Sequence, residues 1–194
     1  MIEVEVKLPV DSAERIEAKL LNMGFIYKET ITQEDRYYDN KDGMIRGTGQ
    51  ALRLRCVGND CCITFKGRKL DSVSMTRQEF ETSVGDRDVM DGILRSLGFE
   101  VVAPRVKKVR REFSVIWERM ASVESKSSVK KFEMHACLDQ VEDLGDFLEL
   151  EIMAGENERM DALAEIEKVL NKLGYKLSDT TTNSYLSMLQ GIED

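Results

Sequence analysis

Charged side chains recur along this sequence in pairs at two-residue spacing, and most pairs carry a single sign. The pairs of one sign are Glu3 with Glu5, Glu149 with Glu151, Arg53 with Arg55, and Lys108 with Arg110. A further group, Arg77 with Glu79 and Glu81, is mixed. Carboxylates bind Mg²⁺ or Mn²⁺, whereas arginine and lysine hold phosphate oxygens. If the acidic and basic pairs face one another, their natural ligand is a polyphosphate that carries a divalent metal.

Alternation of apolar and polar residues predicts that β-strands position these pairs. In residues 2–9, four apolar side chains alternate with Glu3, Glu5 and Lys7. Because successive side chains of a strand point to opposite faces, the three charged groups share one face. The same alternation returns in residues 51–55, 62–66, 77–81, 106–113, 132–139 and 147–153. The sequence therefore predicts a set of strands with one apolar and one charged face.

Helical spacing of apolar residues predicts helices over about 12–23, 86–97 and 157–173, with a short final helix over 182–189. The first three end at a glycine followed by an aromatic residue, namely Gly24-Phe25, Gly98-Phe99 and Gly174-Tyr175. In each case a strand with an E-x-E pair stands before the helix. This weak repeat indicates a duplication, or one structural unit used several times.

The charged strand faces must look either at solvent or at one another. An open sheet with helices on one side predicts mixed, unpatterned charge on the solvated face. A closed barrel with helices outside predicts a polar interior in which unlike charges are compensated. The sorting of charge by strand favours the barrel over the solvated sheet.

Composition limits the classes of protein that fit. The chain has 194 residues, 42% of them hydrophobic, which fits one domain over 1–194. Its formal net charge of −8 argues against nucleic acid and anionic membranes as partners. No apolar run is long enough to span a bilayer, and the charged first strand predicts that no signal peptide is present. A serine- and lysine-rich stretch at about 120–130 predicts a mobile insertion.

The cysteines and the single histidine offer little catalytic chemistry. Cys56, Cys61, Cys62 and Cys137 form no C-x-x-C pair, so they are interpreted as small core residues without a disulfide framework or a zinc site. This usage fits a reducing cytoplasm. His135 lies four residues before Asp139 in the same predicted strand, so the two side chains share a face. That face looks either at the charged interior or at solvent.

A few residues near the charged pairs receive structural interpretations. Asp35 and Asp39 flank aromatic residues and are interpreted as turn and register residues rather than ligands. Tyr37 and Tyr38 are interpreted as packing residues rather than as a stacking platform for substrate.

Seven motifs occur in an order that resembles one family. They are E-x-E-x-K (3–7), D-R-Y-Y-D (35–39), A-L-R-L-R (51–55), I-T-F-K-G (63–67), R-x-E-F-E (77–81), K-V-R-R (108–111) and L-D-x-V-x-x-L-G-D-F-L-E-L-E (138–151). This ordered set resembles the CYTH family, the triphosphate tunnel metalloenzymes, which includes class IV adenylyl cyclases, thiamine triphosphatases and inorganic triphosphatases. L-G-D-F-x-E-L-E (144–151) and S-Y-L-S-M-L (184–189) look most like the class IV cyclase branch.

The resemblance implies an α+β fold, in which a closed antiparallel β-barrel of about eight strands forms a tunnel with helices outside. It implies Mg²⁺ or Mn²⁺ as cofactor, bound by Glu3, Glu5, Asp139, Glu149 and Glu151. It implies triphosphate binding by Lys7, Arg53, Arg55, Lys66, Lys108 and Arg110. Among these residues we assign catalytic roles to Glu5, Lys7 and Arg110. Arg77, Glu79 and Glu81 are further tunnel residues.

The implied activity is conversion of ATP to cyclic AMP and pyrophosphate. The alternative is a triphosphatase that hydrolyses tripolyphosphate, thiamine triphosphate or nucleoside triphosphates, and a second alternative is a non-catalytic module that binds polyphosphate or nucleotides. The expected partner is thus a small triphosphate such as ATP or tripolyphosphate, in the cytoplasm. Methionine- and tyrosine-bearing outer surfaces are compatible with a homodimer.

Overall fold

A computed structural model describes residues 2–70, 74–119 and 130–192. The insertion expected at about 120–130 falls on residues 120–129, outside the described residues. The strands are β1 (Ile2–Pro9), β2 (Ile26–Asn40), β3 (Ala51–Val57), β4 (Asp60–Lys66), β5 (Glu79–Val84), β6 (Phe99–Arg119), β7 (Lys130–Val141) and β8 (Gly145–Ala154). They form one sheet in the order β1-β8-β7-β6-β2-β3-β4-β5, and every neighbouring pair is antiparallel. The prediction of eight antiparallel strands is confirmed.

The sheet curls into a half-barrel whose two edges, β1 and β5, meet only locally. A single bridge joins Glu3 to Arg77 in the segment before β5. The Met75 backbone N–H donates to the Glu5 carbonyl at 2.9 Å, and the Thr181 N–H donates to the Lys7 carbonyl at 2.7 Å. These contacts cover the free edge of β1, so the predicted closed barrel holds only approximately.

Five helices accompany the sheet: α1 (Ala13–Asn22), α2 (Met44–Gly47), α3 (Arg87–Ser96), α4 (Arg159–Leu173) and α5 (Tyr185–Gln190). Gly24, Gly98 and Gly174, which follow α1, α3 and α4, have φ angles of +91°, +90° and +96°. Only glycine enters this left-handed region at low cost, which explains why the predicted helices stop there. None of the described helices is long and apolar enough to cross a membrane.

The short helix α2 was not predicted from the sequence, because residues 40–43 just before it have the composition of a turn. Its first turn depends on Asp39, whose carboxylate accepts hydrogen bonds from the backbone N–H groups of Ile45 and Arg46 at 2.9 and 3.0 Å. Asp39 therefore has the turn role that was predicted for it. Its side chain also caps the start of a helix that the local sequence does not predict.

The main hydrophobic core lies on the outer face of the half-barrel. Helices α1 and α4 pack there against β1, β7 and β8. Leu20 of α1, Ile166 of α4 and Leu150 of β8 are completely buried in this cluster. The apolar face of β1 joins them, while its charged face points inward, as the alternation predicts.

Helix α3 covers the sheet less completely than its sequence predicts. Leu94 is buried and Met90 packs beside it, but Val89, Ile93 and Leu97 remain 59%, 48% and 69% exposed. The Tyr38 hydroxyl donates to Asp91 at 2.7 Å on the same helix. That hydrogen bond and the packing of Leu94 hold one side of α3 against the sheet. Val89, Ile93 and Leu97 lie beside this contact, where the sheet does not cover them.

The interpretation of the cysteines is wrong for two of the four. Cys56 and Cys61 lie directly opposite each other on β3 and β4 and form a disulfide. Cys62 and Cys137 are free thiols. Sequence spacing alone missed the pair because the hairpin, and not a motif, brings the two residues together. The argument from cysteine usage for a reducing compartment therefore loses its basis.

A buried ion pair ties β2 to β3. Asp35 lies opposite Arg55 in the strand register, and the guanidinium donates two hydrogen bonds to the carboxylate, both at 2.7 Å. Burial alone would raise the pKa of Asp35, but Arg55 holds it well below its usual range. The register role predicted for Asp35 is thus confirmed, and its partner is one of the predicted phosphate ligands.

Two adjacent leucines of α1 provide a test of the outer core. Leu20 is fully buried, whereas Leu21 is 46% exposed. We expect Leu20→Ala to lower the free energy of unfolding by about 2–5 kcal/mol, because it leaves a cavity against α4. We expect Leu21→Ala to cost less than about 1 kcal/mol. Urea unfolding of both variants measures this, and equal losses would contradict the assigned orientation of α1.

The Asp35–Arg55 pair predicts a pH dependence of stability. Asp35→Asn leaves the partly buried guanidinium of Arg55 without its carboxylate, so we expect a loss of about 1–3 kcal/mol near neutral pH. Since the folded-state pKa of Asp35 is lowered, the pair stabilises fully above the unfolded pKa of about 3.9 and less as the pH falls below it.

The difference in unfolding free energy between the wild type and Asp35→Asn should therefore stay constant above about pH 5 and shrink as the pH falls from about 5 towards 2. Denaturant unfolding across this range measures it. Asp42→Asn, in an exposed turn, is the matched control and should stay near wild type. A difference that is constant with pH would argue against the ion pair.

Candidate functional site

The half-barrel encloses a cavity of about 920 Å³. Every predicted site residue except Asp139 lines it: Glu3, Glu5, Lys7, Arg53, Arg55, Lys66, Arg77, Glu79, Glu81, Lys108, Arg110, Glu149 and Glu151. Asp139 lies in the wall, fully buried, beneath Lys108 and Arg110. The structure thus brings the predicted residues of seven separate strands or segments to one concave surface.

The cavity is locally basic although the whole chain is acidic. Ten of its described lining residues are basic and seven are acidic, against 28 basic and 36 acidic residues in the full sequence. A cleft lined by excess charge of one sign concentrates ligands of the opposite sign. This cavity therefore favours an anionic ligand.

Asp139 organises the basic wall. Its carboxylate accepts hydrogen bonds from Lys108 Nζ at 2.7 Å and from Arg110 Nε and Nη2 at 2.7 and 2.6 Å. The Tyr185 hydroxyl adds a fourth hydrogen bond at 3.0 Å. Burial would raise the pKa of Asp139, but Arg110 and Lys108 lower it. A fixed anion behind the wall thus holds two cationic side chains in place.

Glu149 links the basic wall to β1. It forms an ion pair with Arg110, and its Oε1 lies 3.3 Å from Lys7 Nζ. Burial would lower the pKa of Lys7, yet Glu149 raises it. Lys7 is therefore an ammonium group that can donate hydrogen bonds, not a base. Lys108 differs, because burial and the neighbouring Arg110 lower its pKa to about 8.

Two arginines carry buried donors that no described residue satisfies. Arg53 Nη2 donates to Thr64 Oγ1 at 3.2 Å, and Thr64 in turn donates to Glu81 at 2.7 Å. Within the described part of the chain, however, Arg53 Nε and Arg77 Nε have no hydrogen-bond partner. A buried, unsatisfied charged donor is costly. Both side chains line the cavity, so an anionic ligand there would satisfy them.

The acids of β1 and β8 are crowded together and form an acidic wall of the cavity. Glu5 lies opposite Glu151 in the strand register. Burial, followed by the nearby Glu5, raises the pKa of Glu3 to about 9, and Lys66 only partly offsets this. Burial and Glu5 also raise the pKa of Glu151. The positive charge near Glu3 and Glu151 is therefore too small to offset their burial and the repulsion from neighbouring carboxylates.

The donor chemistry of this acidic wall fits a divalent cation. Carboxylate oxygens are the ligands that Mg²⁺ and Mn²⁺ prefer, and a cation would relieve the repulsion that raises the pKa of Glu3 and Glu151. No three Asp, Glu, His or Cys side chains of the described residues form a ready-made metal cluster. Asp139 and Glu149 instead form ion pairs with the basic wall, so the five-carboxylate metal set stays a prediction.

The remaining predicted residues have clear positions. Lys66 and Glu79 form an ion pair in the cavity, where burial lowers the pKa of Lys66. His135 does not line the cavity; it is half exposed, with its Nε2 at 3.7 Å from Glu133. Tyr37 lines the cavity, so its predicted packing role is incomplete.

Sequence reasoning missed the residues that close one end of the cavity. These lie in and after α2, in the segment after β4, and in α5, and they include Arg46, Arg68, Lys69, Ser184 and Tyr185. Loop residues show no alternation that could assign them to an inner face. The S-Y-L-S-M-L motif did mark Tyr185, but not its location.

Comparisons with known proteins agree with this geometry. The family model described as the CYTH domain matches residues 1–185. A Methanocaldococcus jannaschii protein named "Putative adenylate cyclase" is 33% identical over 189 residues, covering 97% of this chain and 98% of the relative. A solved structure from Pyrococcus horikoshii is 29% identical, with a TM-score of 0.79 and coverage of 97% and 98% of the two chains.

A third protein shares the fold at lower identity. It comes from Hippeastrum and is described as a "putative adenylyl cyclase" with a dominant triphosphatase activity; it is 20% identical, with a TM-score of 0.64 and coverage of 98% of this chain and 96% of its own. The match of the family model over nearly the whole sequence confirms the resemblance seen in the motifs. The chain belongs to the CYTH family.

Proposed function

We propose that this protein is a metal-dependent enzyme that acts on triphosphates, and that it converts ATP to cyclic AMP and pyrophosphate. The CYTH family acts on small-molecule triphosphates and generally uses divalent metals. The main support for the proposal is that one cavity contains two kinds of incompletely compensated charge, one basic and one acidic. Among the described residues, Arg53 Nε and Arg77 Nε are buried donors without acceptors, while burial and neighbouring carboxylates raise the pKa of Glu3 and Glu151.

The basic side chains provide the triphosphate site of this proposal. Lys66, Lys108 and Arg110, with Arg53 and Arg55, surround the cavity. A triphosphate chain offers each of them an anionic oxygen, and guanidinium groups bind such oxygens through two parallel hydrogen bonds. Asp139 and Asp35 hold Arg110 and Arg55 in defined orientations before the ligand arrives.

The acids provide the metal site. Glu3, Glu5 and Glu151 would hold Mg²⁺ or Mn²⁺, and Asp139 and Glu149 would join them if phosphate draws Arg110 and Lys108 away from their ion pairs. When bound, the metal supplies charge neutralisation at the phosphate oxygens. Ligand binding is then an exchange of partners, in which bases turn to phosphate and acids turn to the cation. Such an exchange leaves no buried charge uncompensated.

In the cyclase reaction the ribose 3′-hydroxyl attacks the α-phosphorus, a new ester bond forms, the bond to pyrophosphate breaks, and the hydroxyl proton leaves with the pyrophosphate. Positioning and charge stabilisation account for most of the catalysis of phosphoryl transfer. We assign Lys7 the task of orienting the nucleophile through its ammonium hydrogens, Glu5 that of a metal ligand, and Arg110 that of balancing charge on the phosphates.

A triphosphatase is the second candidate, because the same clamp serves both reactions. There, water attacks the terminal phosphorus, the bond from that phosphorus to the diphosphate breaks, and orthophosphate and the diphosphate are released. The Hippeastrum protein, with its dominant triphosphatase activity, shares this fold. The two reactions differ in the position of the nucleophile and in the need for a nucleoside at the cavity mouth.

A product assay tests the proposal. The purified full chain is incubated with ATP, tripolyphosphate or thiamine triphosphate and with Mg²⁺ or Mn²⁺, and cyclic AMP, pyrophosphate, ADP and orthophosphate are resolved. We expect cyclic AMP and pyrophosphate in equal amounts, and loss of both when metal is chelated. Glu5→Gln and Glu151→Gln should each lower the rate by at least about 100-fold.

Glu156→Gln is the matched control, because it removes the same charge from an exposed position outside the cavity. It should retain wild-type turnover. Orthophosphate release without cyclic AMP would assign the protein to the triphosphatases. Tight binding of tripolyphosphate without turnover of any substrate would indicate a non-catalytic module and refute the enzymatic proposal.

A further inference from the structure

One side chain of the C-terminal helix contacts three charged groups of the cavity wall. The ring centroid of Tyr185 lies 4.2 Å from Lys7 Nζ and 5.1 Å from Lys108 Nζ. Its hydroxyl donates to Asp139 Oδ2 at 3.0 Å. Tyr185 is itself buried and lines the cavity. A ring face within about 6 Å of an ammonium group attracts it, most strongly where water is excluded.

The surroundings of Tyr185 fix its position. Its ring packs edge-to-face on Phe147 of β8, with centroids 5.1 Å apart. The chain just before α5 is attached to β1 through the Lys7–Thr181 bridge. The end of α5 is attached to α2, because Arg46 donates to Gln190 at 2.7 Å. The ring is therefore held directly by Phe147, and indirectly by the attachments at both ends of α5.

We propose that Tyr185 is a positioning residue of the site, which holds the ammonium groups of Lys7 and Lys108 in place for the triphosphate. The role rests on the proposed function, since it concerns the ligands of the triphosphate. Lys7 also forms an ion pair with Glu149 at 3.3 Å, and Lys108 forms one with Asp139. Without the ring, each lysine would keep its carboxylate partner but lose the surface that limits its other rotamers.

Two substitutions separate the ring from the hydroxyl. Tyr185→Phe keeps the ring over both lysines and loses one hydrogen bond to Asp139, which retains three others. Tyr185→Leu removes the aromatic face as well. We expect the first variant to bind inorganic tripolyphosphate about two- to threefold more weakly, and the second about tenfold more weakly. Calorimetric titration of the full chain in a metal chelator measures both.

Tyr175→Phe is the control, because Tyr175 packs on the outer core and does not line the cavity. A thermal melt of each variant reports folding. A merely structural role would lower the melting temperature and leave the affinity of the folded protein unchanged. Tyr185→Leu that is folded and binds tripolyphosphate within about twofold of wild type would overturn the proposal.

A second readout does not depend on the proposed function. Brief treatment with acetic anhydride, followed by peptide mass spectrometry, reports how accessible each lysine is. Lys7 and Lys108 are only 4% and 3% exposed. We expect Tyr185→Leu to raise their acetylation at least about fivefold relative to exposed Lys28, with Tyr185→Phe close to wild type. Unchanged acetylation would overturn the positioning role. Failure of the wild type to bind tripolyphosphate would instead overturn the triphosphate function.

Discussion

The structure depends on the rule that a charge removed from water must find a partner. Asp139 is the clearest case, because its carboxylate is fully buried and accepts four hydrogen bonds from Lys108, Arg110 and Tyr185. The inner surface of the half-barrel is thus a connected network, and the position of each cation follows from the anion behind it.

Some charged groups of this network are not fully compensated, and they indicate what the cavity binds. The bases of β3 and the segment before β5 retain buried donors without acceptors, and the acids of β1 and β8 repel one another. Both groups line one cavity, and the bridge between Glu3 and Arg77 brings two of their members together without removing either deficit. A ligand that is anionic along its chain and carries a cation would satisfy both, which is the composition of a metal–triphosphate complex.

Much of this could be predicted from the sequence, because period-two alternation is a strong local signal. It placed Glu3, Glu5 and Lys7 on one face of β1, and it did the same for the charged residues of β3, β6 and β8, but not for Asp35 and Tyr37 of β2. Three features could not be predicted in this way. The disulfide between Cys56 and Cys61 depends on the register of a hairpin, α2 depends on a side-chain cap from Asp39, and the exposed flank of α3 depends on which side of the helix rests on the sheet.

Tyr185 shows the limit most clearly. Its motif was visible, yet its role arises from residues more than 40 positions away, which only the tertiary fold brings to it. The same holds for the division of the five acids. Their spacing treats Glu149 and Glu151 as equivalent, but the first lies beside Lys7 and Arg110 and the second beside Glu5.

Stability and function occupy opposite faces of the same sheet. The aliphatic cluster of α1, α4 and the outer sides of β1, β7 and β8 resembles the core of any small α+β domain and accounts for folding. Buried ion pairs are a poor source of stability, because well-packed apolar residues of similar size often do as well or better. An inner face that keeps so many of them, with some still unsatisfied, is therefore better explained by what it binds than by what it contributes to folding. The outer core gives these strands the rigidity to hold such an unfavourable surface open.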